Sequence, residues 1–120
     1  MSFTGTVVRG DQRGRTLGFP TANIRIPGLD ASAFGVYAGR VDGRAAAISI
    51  GVRPTFGDDL EPLLEAYILD FDGDLYGLTV EVQLVERLRG EMRFASVGAL
   101  VEQVREDVRK ARELLDRERG

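Results

Sequence analysis

Two rhythms along the chain predict a mainly β fold, an antiparallel sheet or barrel, with one C-terminal α-helix packed on it. From Phe3 to Leu88 short β-prone runs alternate with turn signals, and no long helical period intervenes. After Arg89 the apolar residues recur at helical spacing instead. At 120 residues and 43% hydrophobic composition, the chain has the size of one domain able to bury a core. A single domain over residues 1–120 is expected, with a barrel over about 3–88, a loop at 89–95 and a helix over about 96–118.

The β-prone runs fall at residues 4–8, 21–25, 35–41, 45–50, 64–71 and 79–85. Asp42-Gly43 supplies the left-handed backbone a tight hairpin needs, and Asp72-Gly73 repeats that signal. The last run alternates most clearly, Val80, Val82 and Leu84 against Thr79, Glu81 and Gln83. One side of that strand should meet a core and the other water. Residues 27–34 and 57–62 read as surface loops. In the final segment Val97, Leu100, Val101, Val104, Val108, Ala111, Leu114 and Leu115 form one stripe, with Glu102, Arg105, Glu106, Arg109 and Arg112 on the other sides. Ser96 is placed to cap that helix.

Composition excludes several chemistries. A net charge of -3 argues against a nucleic-acid coat or a surface that clings to anionic membranes. With no cysteine there is no disulfide framework and no thiolate metal site; with no histidine, imidazole-dependent triads and histidine-ligated zinc are ruled out within this chain. The lone lysine, Lys110, lies in the predicted helix, so a Gly-Lys-Ser/Thr phosphate loop cannot occur. No apolar run approaches the roughly 20 residues of a membrane span, and Met1-Ser2-Phe3 opens no secretory signal. A cytoplasmic protein is the expectation.

One stretch does point to chemistry. Gly10, Gly14 and Gly18 space a loop that also carries Arg13 and Arg15, and the loop runs into Pro20-Thr21-Ala22-Asn23. Glycines let a backbone approach an anion closely, and the arginines add charge where a polyphosphate would lie. In extended chain Thr21 and Asn23 project to the same side. Both offer hard oxygen donors of the kind magnesium accepts beside nucleotide phosphates. The bland alternative is a pair of residues that cap local backbone groups. Asp70, Asp72, Asp74 and Glu81 mimic the acidic spacing of a calcium-binding loop, but Leu75 stands where that loop needs glycine, and strands flank the segment in place of helices. Hairpin turn chemistry accounts better for those residues.

Dispersed motifs in register extend the reading. Gly5-Thr6-Val7-Val8-Arg9-Gly10, Gly14 to Asn23, Gly35-Val36-Tyr37, Ile50 to Phe56, Glu65 to Phe71, Asp74-Leu75-Tyr76-Gly77 and Leu88 to Phe94 together resemble the riboflavin kinase (flavokinase) family. That resemblance implies a six-stranded antiparallel Greek-key barrel with a C-terminal helix. It also implies magnesium-dependent transfer of the ATP γ-phosphate to the 5'-hydroxyl of riboflavin, giving FMN and ADP, with manganese or zinc as alternative metals. Thr21 and Asn23 match the metal and phosphate positions, and Gly10, Gly14, Arg15 and Gly18 the phosphate-side loop. Ile68, Asp70 and Tyr76 match positions lining the nucleotide pocket. Arg89, Met92 and Phe94 match the flavin-side loop, and Glu65 the catalytic acidic residue. Asp107 is a further flavin-side candidate.

Tyr67 departs from the family, where bacterial members often carry histidine beside the acidic residue. The adenylyltransferase half of the bifunctional family members uses a histidine-containing motif that this chain lacks, so FMN is the expected end point unless such a domain is joined to it. The expected partners are therefore riboflavin or FMN and ATP or ADP, with no nucleic acid and no membrane, and a monomeric state. From the residues alone a strand-end ion-pair partner and a core residue are the more common fate of a pair such as Arg89 and Phe94, and Asp107 equally suits an exposed helical carboxylate. Two rivals of other classes are a flavin-binding module without catalysis and a barrel that only binds proteins.

Overall fold

The computed structural model describes residues 1–8, 21–54, 60–71, 73–90, 92 and 94–119. Six strands close into a barrel: β1 (Ser2–Val8), β2 (Ala22–Arg25), β3 (Gly35–Val41), β4 (Arg44–Pro54), β5 (Leu60–Ile68) and β6 (Thr79–Arg89). Around the barrel the order is β1-β2-β5-β4-β3-β6, every neighbouring pair antiparallel. Strands β3, β4 and β5 are sequential neighbours while β2 returns beside β5, which is Greek-key topology.

Turn chemistry and core patterning explain most of this. Asp42 and Gly43 take φ values of 49° and 82° and join β3 to β4 as a two-residue hairpin. The Asp42 carboxylate also accepts a 2.8 Å hydrogen bond from the Glu81 N–H, tying that turn to β6. Inside the barrel Ile24, Val41, Ile48, Ile50, Leu64, Val80 and Val82 are wholly or almost wholly buried in one cluster. At the β3–β6 register shift beside Ala38, a side chain on Gly39 would strike the Gln83 carbonyl and Ile48. Only glycine fits that close approach.

Element boundaries differ from the sequence expectation where pairing overrides local signals. β4 continues through Gly51 to Pro54, and β5 begins at Leu60, inside what reads as a loop at 57–62. Pro62 is tolerated there because β5 pairs with β2 only at residues 64–66, which leaves the strand one free side at Pro62. β5 stops at Ile68, short of the expected residue 71, because Asp70 adopts a left-handed backbone with φ of 56°. β6 runs on to Arg89. In the loop at 27–34, Ala31–Ala33 form a 3₁₀ turn whose Ala33 is buried, and the Ala33 carbonyl accepts a 2.7 Å hydrogen bond from the Tyr37 hydroxyl. The turn expected at Asp72 falls outside the described residues.

Helix α1 (Val97–Arg119) starts where expected, with the Ala99 N–H donating to the Ser96 hydroxyl at 3.1 Å. Its C-terminal half lies on the outer barrel wall, Ala111 and Leu115 against Ala38 with Ala45, Ala47, Val85 and Leu88 around them. Small wall residues let the helix approach closely. Val97, the first member of the expected stripe, is 63% exposed. Periodicity marks a helix face but not how far along it the wall reaches. An ion pair tethers the helix to the end of β5: Arg112 reaches both Asp70 oxygens, at 2.7 and 3.0 Å.

Leu115→Ala should cost about 3 kcal/mol in chemical denaturation, as for other buried leucines. Val97→Ala should cost almost nothing. The Arg112 hydrogen bonds hold the Asp70 carboxyl below the usual carboxylate range. Stability from this pair is therefore present above the ordinary aspartate pKa and fades as pH falls through the depressed value. Thermal melts of the parent and Asp70→Asn should accordingly differ slightly at neutral pH and converge in acid; a gap that widens on acidification would contradict the pairing.

Candidate active site

The site is built on the outer wall by strand register. Ile24 on β2 pairs with Leu64 on β5, and both point into the barrel core. Asn23, one residue earlier on β2, pairs with Glu65, so alternation turns both outward. Residues directly opposite one another on antiparallel strands share a face, with Cβ atoms about 4.5–5.5 Å apart. Asn23 is 8% exposed although it lies outside the barrel core, and Glu65 Oε1 is shielded from solvent. Thr21 is half-buried just before β2, two residues from Asn23. Asn23, one of the two expected metal ligands, and the expected catalytic carboxylate thus share one outward patch, and Thr21 lies two residues before Asn23 in the chain.

The row continues around the barrel. Glu65 pairs with Ser49 on β4, Ser49 with Val36 on β3, and Val36 with Arg89 on β6. At that end the Arg89 guanidinium grips Asp107 of α1, Nε at 3.0 Å from Oδ1 and Nη2 at 2.8 Å from Oδ2. Gln103 adds a 3.1 Å hydrogen bond to Oδ1, and Arg89 Nη1 donates to the Gly90 carbonyl at 3.0 Å. The Phe94 ring centre lies 5.9 Å from the guanidinium carbon. Asp107 is 4% exposed, so it is a buried ion-pair partner and not a solvated helical carboxylate. Removing one member of such a pair strands a buried charge.

The other expected residues are placed less uniformly. Ile68 faces the core, and it pairs with Ala46 on β4. Asp70 turns toward α1 and Arg112, and Tyr76 is half exposed, its N–H bonded to Asp74 Oδ1 at 2.9 Å. Met92, three residues after Arg89 in the chain, is 50% exposed. Gly10, Gly14, Arg15 and Gly18 lie outside the described residues. Sequence reading missed Ser49, Val36, Gln103 and Arg112 as members of these networks. Only the Gln103–Asp107 contact carried a signal, its one-turn spacing on a helix.

Among the described residues no three histidine, cysteine or acidic side chains cluster as a metal cage. The donors at hand are the Thr21 hydroxyl, the Asn23 carboxamide and the Glu65 carboxylate, all hard oxygens. With two of the three uncharged, this set suits a divalent cation that arrives with a polyphosphate. It does not suit one held permanently by protein charge.

Comparison with known proteins identifies the family. The riboflavin kinase (Flavokinase) family model matches residues 1–115. The RNA-binding riboflavin kinase RibR of Bacillus subtilis is 42% identical over 109 residues, 88% of this chain and 47% of that protein. The bifunctional riboflavin kinase/FMN adenylyltransferases of Listeria monocytogenes and Escherichia coli K12 are 43% and 40% identical, covering 90% and 93% of this chain but 36% and 37% of those proteins. The chain thus spans between about a third and a half of the length of these relatives. The crystal structure of riboflavin kinase from Trypanosoma brucei superposes with a TM-score of 0.63 at 29% identity, covering 96% of this chain and 79% of that one. A Streptococcus pneumoniae structure described as a macrolide-efflux protein superposes at 0.80 with 40% identity, covering 92% of this chain and 38% of that one. The chain belongs to the riboflavin kinase family, and within the bifunctional relatives it matches the kinase domain.

Proposed function

We propose that this domain is an ATP:riboflavin 5'-phosphotransferase. The observation that carries the reading is the Asn23–Glu65 register pair, which sets a neutral oxygen ligand beside a carboxylate on the outer wall, with Thr21 two residues away. Phosphoryl transfer depends mostly on alignment and charge neutralisation, because its transition state is loose. Thr21 and Asn23 would hold the divalent cation, magnesium in the first instance, and that cation would neutralise charge on the transferring group.

Glu65 faces the acceptor alcohol. Its carboxylate orients the 5'-hydroxyl and takes its proton as the oxygen bonds to the γ-phosphorus and the bridging bond to ADP breaks. Shielding of Oε1 keeps that carboxylate out of bulk water, where competing hydrolysis would be easier. The glycine-arginine loop supplies charge for the phosphates, Arg15 above all. Phe94, beside the Arg89–Asp107 pair, forms apolar cover for the flavin ring together with Met92. The domain makes FMN and goes no further; an adenylyltransferase partner, where fused, would take FMN on.

Incubation with riboflavin, ATP and magnesium should yield FMN and ADP on chromatography. Glu65→Gln should lower turnover by roughly 10²- to 10⁴-fold while riboflavin binding persists. Unchanged turnover would remove Glu65 from the reaction. Saturable flavin binding by the parent without ADP release would instead support a non-catalytic flavin-binding module.

A further inference from the structure

The row that holds Asn23 and Glu65 changes character as it crosses the barrel. From Glu65 it passes to a hydroxyl at Ser49, an aliphatic group at Val36 and the Arg89–Asp107 pair. These are three strand spacings, roughly 14 Å in all. On β4 the outward positions before Ser49 are Ala45 and Ala47, and both lie under α1. The helix footprint therefore stops one outward position short of Ser49. Ser49 is exposed, unlike buried Asn23 and Val36 in the same row, and among the described residues no group hydrogen-bonds its hydroxyl.

Building on the riboflavin kinase reading, we infer that Ser49 is a substrate-recognition residue whose hydroxyl hydrogen-bonds the ribityl chain of riboflavin. The substrate lies along the row, its terminal alcohol at Glu65, its polyol over Ser49 and its ring beyond Val36 toward Arg89. A serine hydroxyl both donates and accepts, which matches a chain of alcohols. Its Cβ stands about 4.5–5.5 Å from that of Glu65, so the two side chains address neighbouring oxygens of one polyol. Val36 next in the row is apolar and buried, suited to the flat ring and not to the chain.

Ser49→Ala tests this, with Ser49→Thr as the variant that keeps the hydroxyl. The KM for riboflavin should rise roughly 3- to 10-fold in the alanine variant, the scale of one neutral hydrogen bond, with the KM for ATP unchanged and the threonine variant close to the parent. Flavin fluorescence titrations read the same contact without turnover. Ser49→Ala should bind riboflavin more weakly by that factor but bind lumiflavin, the ring without its ribityl chain, as the parent does. Equal losses for both flavins, or none for riboflavin, would overturn the assignment of Ser49. A parent that binds riboflavin in a Ser49-dependent way yet makes no FMN would overturn the kinase reading and leave the Ser49 contact standing.

Discussion

The pairing of β2 with β5 holds Asn23 and Glu65 side by side, and the apolar core beneath holds that pairing. Ile24 and Leu64 flank the pair on the inner face, both wholly buried. A slip of one residue on either strand would turn an isoleucine or leucine out to water and bring a carboxamide or carboxylate into the core. Each large aliphatic side chain so exposed forfeits roughly 1.5–3 kcal/mol, and the buried polar group adds its own cost. The relative placement of Asn23 and Glu65 is thus fixed by packing of the core beneath them.

The two ends of the outer row are stabilised differently. At the Glu65 end Asn23 and Glu65 are set side by side by strand register. At the Arg89 end the arginine is committed to Asp107, which Gln103 also holds, so a bidentate pair locks β6 to the helix. The Asp70–Arg112 pair also joins barrel and helix, but both partners are largely solvated, and exposed pairs contribute little. The helix is therefore anchored chiefly by Ala111, Leu115 and the Arg89–Asp107 pair, and its N-terminal half remains beside the row where the flavin is proposed to lie.

Much of the architecture was legible in the residues. The hairpin at Asp42-Gly43, the alternation of Val80, Val82 and Leu84 and the Ser96 cap are local signals, and all three appear in the fold. The extension of β4 to Pro54 and the start of β5 at Leu60 were not legible, because glycine and proline punctuate the local sequence while a partner strand supplies the ladder. The site shows the same division. Thr21, Asn23 and Glu65 stand out by residue type and by family resemblance, yet their adjacency depends on a pairing between strands some 40 residues apart. Ser49 is an ordinary serine in an alanine-rich run until β4 is set against β5. Asp107 lies 18 residues from Arg89, beyond any periodicity that would link them.

The most direct test replaces the diamagnetic cation with manganese(II) bound to ADP and follows backbone amide signals of the domain by NMR. Paramagnetic broadening should be strongest at Thr21, Asn23 and Glu65, weaker at Arg89 on the far side of the row, and negligible at Leu115 in the C-terminal half of the helix. Broadening centred elsewhere, with Asn23 and Glu65 left sharp, would contradict the account.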